Sequence, residues 1–230
     1  MLDFHPDVAE QYLRLDLDAW DDVYVVGDVH GCRESLDRLL GTLDIGEEDL
    51  VVFVGDLIRK GPDSAGVVEL LRDSPNMYSV RGNNEEKVLR GETVVEGLDE
   101  DHREWLRSLP VAIGFDGGLV VHAGVDPRKA LAEHTVDDLQ NVRSLSPAGG
   151  YEGPFWYDDY EGPPRVFFGH TVLERPLKRE WAVGLDTGCV YGGSLTAYDV
   201  RNGRYRDVPS KRGGVSRSDS KIISPDTSAD

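Results

Sequence analysis

A chain of 230 residues with 43 acidic against 25 basic side chains and a net charge of −18 is long enough for one full core. Its charge argues against general nucleic-acid binding or attachment to an anionic membrane. Lysine is scarce, 6 against 19 arginines, a balance suited to a very salty cytoplasm, where at about 1 M salt a Debye length of ~3 Å screens self-repulsion.

Two cysteines, Cys32 and Cys189, do not make a disulfide framework. The opening residues lack the basic and apolar regions of a signal peptide. No apolar run approaches the ~20 residues of a membrane span. A soluble, cytoplasmic protein is expected. Residues 1–22 are acidic with Leu13, Leu15 and Leu17 interleaved, and read as an edge segment, a short helix or strand laid on the main domain.

The first strong signal is Tyr24-Val25-Val26, a buried-strand pattern running into Gly27. Asp28 and His30 follow, two residues apart and flanked by glycines. A carboxylate and an imidazole at that spacing, at the carboxyl end of a central strand, suit a divalent metal. The stretch alone reads equally well as a strand-to-helix turn capped by Asp28. Leu36, Leu39, Leu40 and Leu43 then share one helical face. Leu50 to Val54 is a second strand pattern, ending in Gly55-Asp56 as the first ended in Gly27-Asp28. Pro62 opens a second helix, burying Val67, Val68, Leu70 and Leu71. Met77 to Val80 is a third strand, followed by Gly82-Asn83-Asn84 and a helix beginning near Glu85 and Glu86.

A polar helical insert spans Glu96 to Ser108, and the second half reads mostly as strands: 111–115, 119–122, 165–168, 182–185 and 194–199. Alternating strands and helices with polar strand ends predict an α/β fold with its site along one sheet edge. Two sheets packed face to face and flanked by helices are expected over 23–209. Residues 210–230, rich in Ser, Gly, Asp and Lys, are expected to be a disordered tail.

The strand ends supply Asp28, His30, Asp56, Asn83, His122 and His170. Oxygen and nitrogen donors without cysteine point to harder divalent ions such as Mn, Fe, Zn or Co. A carboxylate between two ions bridges them, and Asp56 is the candidate bridge. Two such ions clamp both the attacking and the leaving oxygen of a phosphoryl transfer and acidify a water between them into a nucleophile. His5, His102 and His134 lack this strand-end context and read as surface residues.

These blocks, Gly27-Asp28-Val29-His30-Gly31, Gly55-Asp56, Gly82-Asn83, His122-Ala123-Gly124 and Gly169-His170, resemble the signatures of calcineurin-like metallophosphoesterases. Residues 55–62 and 185–193 look closest to the branch of symmetrical diadenosine tetraphosphatases, which adjoins the serine/threonine phosphoprotein phosphatases. The resemblance covers roughly residues 23–200. It implies a four-layer αββα sandwich and two divalent ions, manganese first among Mn, Fe, Zn, Co and Ni. Asp28, His30 and Asp56 would hold one ion, and Asp56, Asn83, His122 and His170 the other. It also implies a phosphorylated small molecule or nucleotide as substrate, with a phosphoprotein as the alternative. Lys60 and Arg143 stand where the family meets phosphate.

Two positions depart from the phosphatase pattern. Arg59 and Lys60 replace an Asp-Arg pair, and Asn84 replaces the His that protonates the leaving oxygen. Asn84 cannot give up a proton, so good leaving groups, phosphoanhydrides above all, are the expected substrates. The readings kept open are a phosphoprotein phosphatase and a weakly active phosphate-binding regulator. Tyr151 to Tyr157 reads as a packed loop, or as a platform for a nucleobase. Asp186-Thr187-Gly188 resembles half of an aspartic-protease dyad; with one copy present it reads as a structural turn, with Cys189 buried and inert beside it.

Overall fold

The structure, a computed structural model, describes residues 2–211 and 215–225. Among them eleven strands form two sheets. They are β1 (Tyr12–Arg14), β2 (Val23–Val26), β3 (Leu50–Phe53), β4 (Met77–Ser79), β5 (Ala112–Phe115), β6 (Gly118–Val121), β7 (Arg165–Phe168), β8 (Leu177–Lys178), β9 (Ala182–Gly184), β10 (Ser194–Asp199) and β11 (Arg204–Pro209). One sheet runs β11-β10-β2-β3-β4 and the other β1-β5-β6-β7-β9-β8. Three strands of each are mutually parallel, β2, β3 and β4 in the first and β6, β7 and β9 in the second.

Period-two alternation decides the layers. In the first sheet Val25, Val52 and Val54 face inward, meeting Ile113, Val120, Phe167 and Val183 of the second. Their neighbours Val26, Val51 and Phe53 face outward, under Leu36 and Leu39 of the helix Arg33–Leu43 and Val67, Val68 and Leu71 of the helix Ser64–Arg72. The outer face of the second sheet, with Leu119, Val121, Val166 and Phe168, packs under Leu139 of the helix Val136–Asn141 and under Trp156 and Tyr157. The result is the expected α/β sandwich, helices outside and two sheets within. No helix among the described residues is long and apolar enough to cross a membrane.

Some local expectations change. Pro62 lies ahead of its helix, which begins at Ser64 with Asp63 accepting from the Gly66 N–H at 2.8 Å. Two strands gave no apolar run to read: β8 has two residues, and β11 is an edge strand whose one buried residue is Val208. Residues 215–225, within the stretch expected to be a disordered tail, are described and pack against the domain. Ile223 is buried and bridges Leu173, its N–H donating to the Val172 carbonyl at 2.9 Å. Of the rest of 210–230, residues 210–211 are described, and 212–214 and 226–230 lie outside the described residues.

His102 and His134, read as surface residues, are buried. His102 pairs with Asp99 at 2.6 Å. His134 Nε2 accepts from the Asp126 N–H at 2.8 Å while its Nδ1 lies 3.0 Å from the Ala130 carbonyl, so the ring staples a loop. Both are structural.

The inter-sheet core depends on Phe167, which packs against Phe115 and Tyr198 with ring centroids 5.7 Å from each. Phe167→Ala is expected to lower unfolding free energy by ~3–5 kcal/mol, read as a lower midpoint in urea at unchanged slope.

Candidate metal and phosphate site

The site is assembled from strand ends. Asp28, Asp56 and Asn83 follow β2, β3 and β4; His122, His170 and Asp186 follow β6, β7 and β9. Because each trio is parallel, all six loops open on the same edge of the sandwich. Asp28, Asp56, His122 and Asp186 are buried, and Asn83 and His170 half-buried.

Close backbone approach makes the convergence feasible. A Cβ on Gly82 would stand 2.4 Å from the Asp56 backbone nitrogen, and one on Gly169 only 1.8 Å from Asp28 Oδ1. His30, Asp56, Arg59, Lys60 and His170 all adopt positive φ, between 50° and 72°, a conformation costing on the order of 1–2 kcal/mol for a side-chain-bearing residue. Among the described residues the one other non-glycine in this region is Asp44, a helix C-cap. Strain is thus gathered at the site, as functional loops commonly show.

Buried Glu85 holds two of these loops. One carboxylate oxygen accepts from the N–H of Asp56 and of Gly82, each at 2.8 Å, and the other from Ile58 at 3.2 Å. Burial, with the Asp56 carboxylate nearby, pushes it up to about 8 against these three donors. The sequence marked Glu85 as a helix-start residue. It is the third residue of the helix Asn83–Leu89, and its tie to the Asp56 loop is a long-range contact no local pattern reveals.

The donor atoms fit divalent cations. Ligand atoms of Asp28, Asp56 and His122 lie within 4.8 Å of one another. His30 Nε2 is 3.8 Å from Asp28 and 3.6 Å from Asp56. His122 Nδ1 sits 2.8 Å from the Val54 carbonyl, which sets it as the protonated nitrogen and turns the Nε2 lone pair inward. That Nε2 is buried without a hydrogen-bond partner, 3.4 Å from Asp56 Oδ1. Two electron-pair donors facing each other in the interior are repulsive, and a cation between them removes the repulsion. His30 is set in the same tautomer, with Nδ1 3.1 Å from the Ile58 carbonyl and Nε2 inward, though there Nε2 also meets Lys60.

Protonation agrees with ligand duty. Burial lowers His30 to about 4, and burial with Arg143 and His122 lowers His170, so both rings are neutral at pH 7, the form that binds metal. Burial, Asp186 and Asp56 push Asp28 up. For Asp56 burial acts upward too, but His122, His30 and Lys60 outweigh it and leave the group below its ordinary range.

Positive groups ring the site. Lys60 Nζ donates to His30 Nε2 at 2.8 Å, and Arg143 Nη2 lies 2.7 Å from His170 Nε2. The cavity of about 300 Å³ also takes in Arg59, Asn84, Tyr151, Asp186, Tyr191 and Arg217. A larger cavity, about 550 Å³, opens beyond Lys60 and holds none of the six strand-end residues. Arg59 Nη1 donates to Asn84 Oδ1 at 2.5 Å, and Asn84 Nδ2 donates to Asp56 Oδ2 and, at 2.9 Å, to Asn83 Oδ1. The two departures from the phosphatase pattern therefore contact each other.

Asp186, Arg59, Tyr191 and Arg217 join the site without having been assigned to it. Asp186 had a readable signal, since it follows an apolar strand as Asp28 and Asp56 do. Arg217 had none. The aromatic stretch divides: Trp156 and Tyr157 are core, the indole N–H donating to the Ala123 carbonyl at 3.1 Å, while Tyr151 lines the cavity.

A buried cluster of carboxylates, imidazoles and an asparagine at the parallel strand ends of a two-sheet sandwich, ringed by cations, defines a metal-dependent phosphoesterase. The calcineurin-like phosphoesterase family matches residues 22–194, and the chain belongs to it, a hydrolase of phosphate esters or anhydrides. It is 31% identical over 219 residues to serine/threonine-protein phosphatase 1 of Salmonella typhimurium, covering 81% of this chain and 95% of that one. It is 26% identical over 267 residues to the symmetrical bis(5'-nucleosyl)-tetraphosphatase of Chromohalobacter salexigens, covering 81% and 97%. A crystal structure described as a candidate diadenosine tetraphosphatase superposes with a TM-score of 0.79 at 33% identity, covering 88% of this chain and 99% of that one.

The His30 shift makes a signed prediction. An imidazole at about 4 in the fold and about 6.5 when unfolded contributes stability above pH ~6.5 that is lost as pH falls through that window. In chelator-treated protein, His30→Gln should lose less stability than the parent between pH 6.5 and 4, by up to about 3 kcal/mol, measured by urea unfolding at each pH. Parallel pH profiles would contradict the assignment.

Proposed function

We propose that this protein hydrolyses the phosphoanhydride bonds of nucleoside polyphosphates at a two-cation centre. The observation that carries the reading is the buried, unpartnered His122 Nε2 facing Asp56 Oδ1 at 3.4 Å, with Lys60 and Arg143 beside the neighbouring imidazoles. Asp28, His30 and Asp56 would hold one cation; Asp56, Asn83, His122 and His170 the other. Oxygen and nitrogen donors without sulfur favour manganese, with Fe, Zn, Co and Ni as the other ions the set accepts. When bound, the cations supply an acidified water as nucleophile and neutralise charge on the phosphoryl oxygens.

The chain's own groups do the rest. The Ile58 and Val54 carbonyls hold His30 and His122 in the tautomer that presents Nε2. Lys60 offers a point charge and Arg143 a planar fork of donors to the phosphoryl oxygens. Asn84 donates hydrogen bonds but transfers no proton, and Arg59 occupies its carbonyl oxygen. General-acid help is typically worth 10²–10⁴-fold. A serine alkoxide needs it, whereas a phosphate leaving group, with a pKa of roughly 6, departs without it. The tetraphosphatase relatives support the same substrate class. Phosphoprotein hydrolysis is the second reading, supported by the 31% identity to a serine/threonine-protein phosphatase.

With manganese supplied, diadenosine tetraphosphate is expected to turn over faster than a phosphoserine peptide; the reverse order selects the second reading. Asn84→His should raise kcat on alkyl phosphates by at least ~10-fold and change anhydride turnover little. Bound manganese with no turnover even of an activated aryl phosphate would leave only phosphate binding. Metal itself is read by stability. Saturating manganese should raise the melting temperature of chelator-treated protein, worth ~3 kcal/mol at a hundredfold excess over Kd, and Asp56→Asn should remove most of that rise.

A further inference from the structure

The rim of the site carries a cation that neither the strand ends nor the family pattern accounts for. Arg217 lines the same cavity as Asp28, Asp56 and His170, and reaches it from the C-terminal segment 215–225. That segment is tied at both ends. The Val215 N–H donates to the Val190 carbonyl at 3.2 Å; Ile223 is buried against Leu173, and Arg175 donates to the Pro225 carbonyl. Between the ties, Arg217 Nε donates to the Lys221 carbonyl at 3.0 Å and Nη1 to the Tyr191 hydroxyl at 3.1 Å.

Two aromatic rings hold this guanidinium in place. It lies 4.8 Å from the Tyr191 ring centre and 5.4 Å from that of Tyr151, within cation–π range. Tyr191 carries a second cation, Lys60 at 5.3 Å, and Tyr151 two more, Arg143 at 4.4 Å and Lys221 at 5.8 Å. An arc Lys60–Tyr191–Arg217–Tyr151–Arg143 therefore runs round the mouth, from His30 to His170. Lys60 and Arg143 contact those imidazoles directly; Arg217 sits one ring away from each.

The arc is out of character for the molecule. In a chain of net charge −18, Lys60, Arg143 and Arg217 form no ion pair with a carboxylate among the described residues. Three like charges held this close repel one another; the buried Asp28, Asp56 and Asp186 act on them from behind the imidazoles, but among the described residues none of the three cations has a carboxylate paired to it on the open side of the mouth. A ligand bearing several negative charges in a row relieves that repulsion, and a guanidinium fork matches phosphate oxygens. One phosphoryl group at the strand-end centre is already served by Lys60 and Arg143.

We propose that Arg217, clasped between Tyr151 and Tyr191, forms a second anion subsite for the phosphoryl groups beyond the reacting one, so that the C-terminal segment selects polyphosphate chains over monoesters. This rests on the polyphosphate reading above, and the test separates the two.

Parent, Arg217→Gln and Arg217→Lys are compared on diadenosine tetraphosphate and on p-nitrophenyl phosphate at equal free manganese. Inhibition by tripolyphosphate and by orthophosphate is measured alongside. The ratio of kcat/KM for the dinucleotide to that for the aryl monoester should fall ~10-fold in Arg217→Gln, mainly through KM, with part restored in Arg217→Lys. The preference for tripolyphosphate over orthophosphate should fall by a similar factor. Tyr151→Leu, which removes a ring from under Arg217, is a second variant expected to act in the same direction. Unchanged ratios, or an equal fall on both substrates, overturn the subsite. A parent enzyme that cleaves the aryl phosphate but not the dinucleotide overturns the polyphosphate reading instead, and the inhibition ratio still decides the subsite.

Discussion

Buried carboxylates drawn to one point are the constraint on which this structure turns. Asp28, Asp56 and Asp186 lie within the sandwich, and each raises the cost of charging another: Asp186 and Asp56 both push Asp28 up, and Asp56 pushes Asp186 up. Charges of one sign in a weakly polarisable interior interact far more strongly than in water. The protein meets this with neutral imidazoles turned lone-pair inward and with positive side chains set just outside them. Such a set of donors fits divalent cations, and His122 Nε2 is buried among them without a hydrogen-bond partner.

The fold makes that concentration feasible. Parallel strands end together, so three strand ends from each sheet empty onto one edge. There the backbone gives up regularity, with glycines admitting neighbouring chain and five side-chain-bearing residues held at positive φ. Such strain persists where surrounding structure over-determines it. Glu85 does part of that, fastening the Asp56 loop to the start of the Asn83 helix through three backbone N–H groups. The alternating valines of β2 and β3 supply the stiff platform from which the loops project.

Electrostatics also bears on the chemistry proposed for the site. The molecule is strongly acidic, yet its active edge is lined with Arg59, Lys60, Arg143 and Arg217. A patch of the opposite sign on such a surface concentrates anions locally. Arg59 and Asn84 form a contacting pair where a proton donor and its orienting carboxylate are expected in the phosphatase branch. Fixed positive charge there in place of a proton donor agrees with the proposed substrates, whose leaving group is already a stable anion.

The strands that bury both faces were readable in the sequence because their apolar runs carry the signal, and so were the six polar strand-end residues that converge on the site, because a polar residue after such a run near a glycine is a local pattern. The helices on the first sheet were readable for the same reason, their leucines and valines recurring on one face. Edge strand β11 was not, having one buried side chain. His134 and His102 gave no strand-end signal: His134 is buried by the loop it staples, and His102 in the first turn of a helix, where its partner is the capping Asp99. Asp186 followed the legible pattern but was absorbed into a turn motif. The inward aim of His122, the grip of Glu85 on two loops, the Arg59–Asn84 contact and the placement of Arg217 between two tyrosines arise between segments far apart in the chain. Local composition chose which residues end each strand; only the packing of one sheet on the other, and of residues 215–225 across the site, brought those ends within reach of one another, because distances between remote side chains are set by the core and not by their neighbours in sequence.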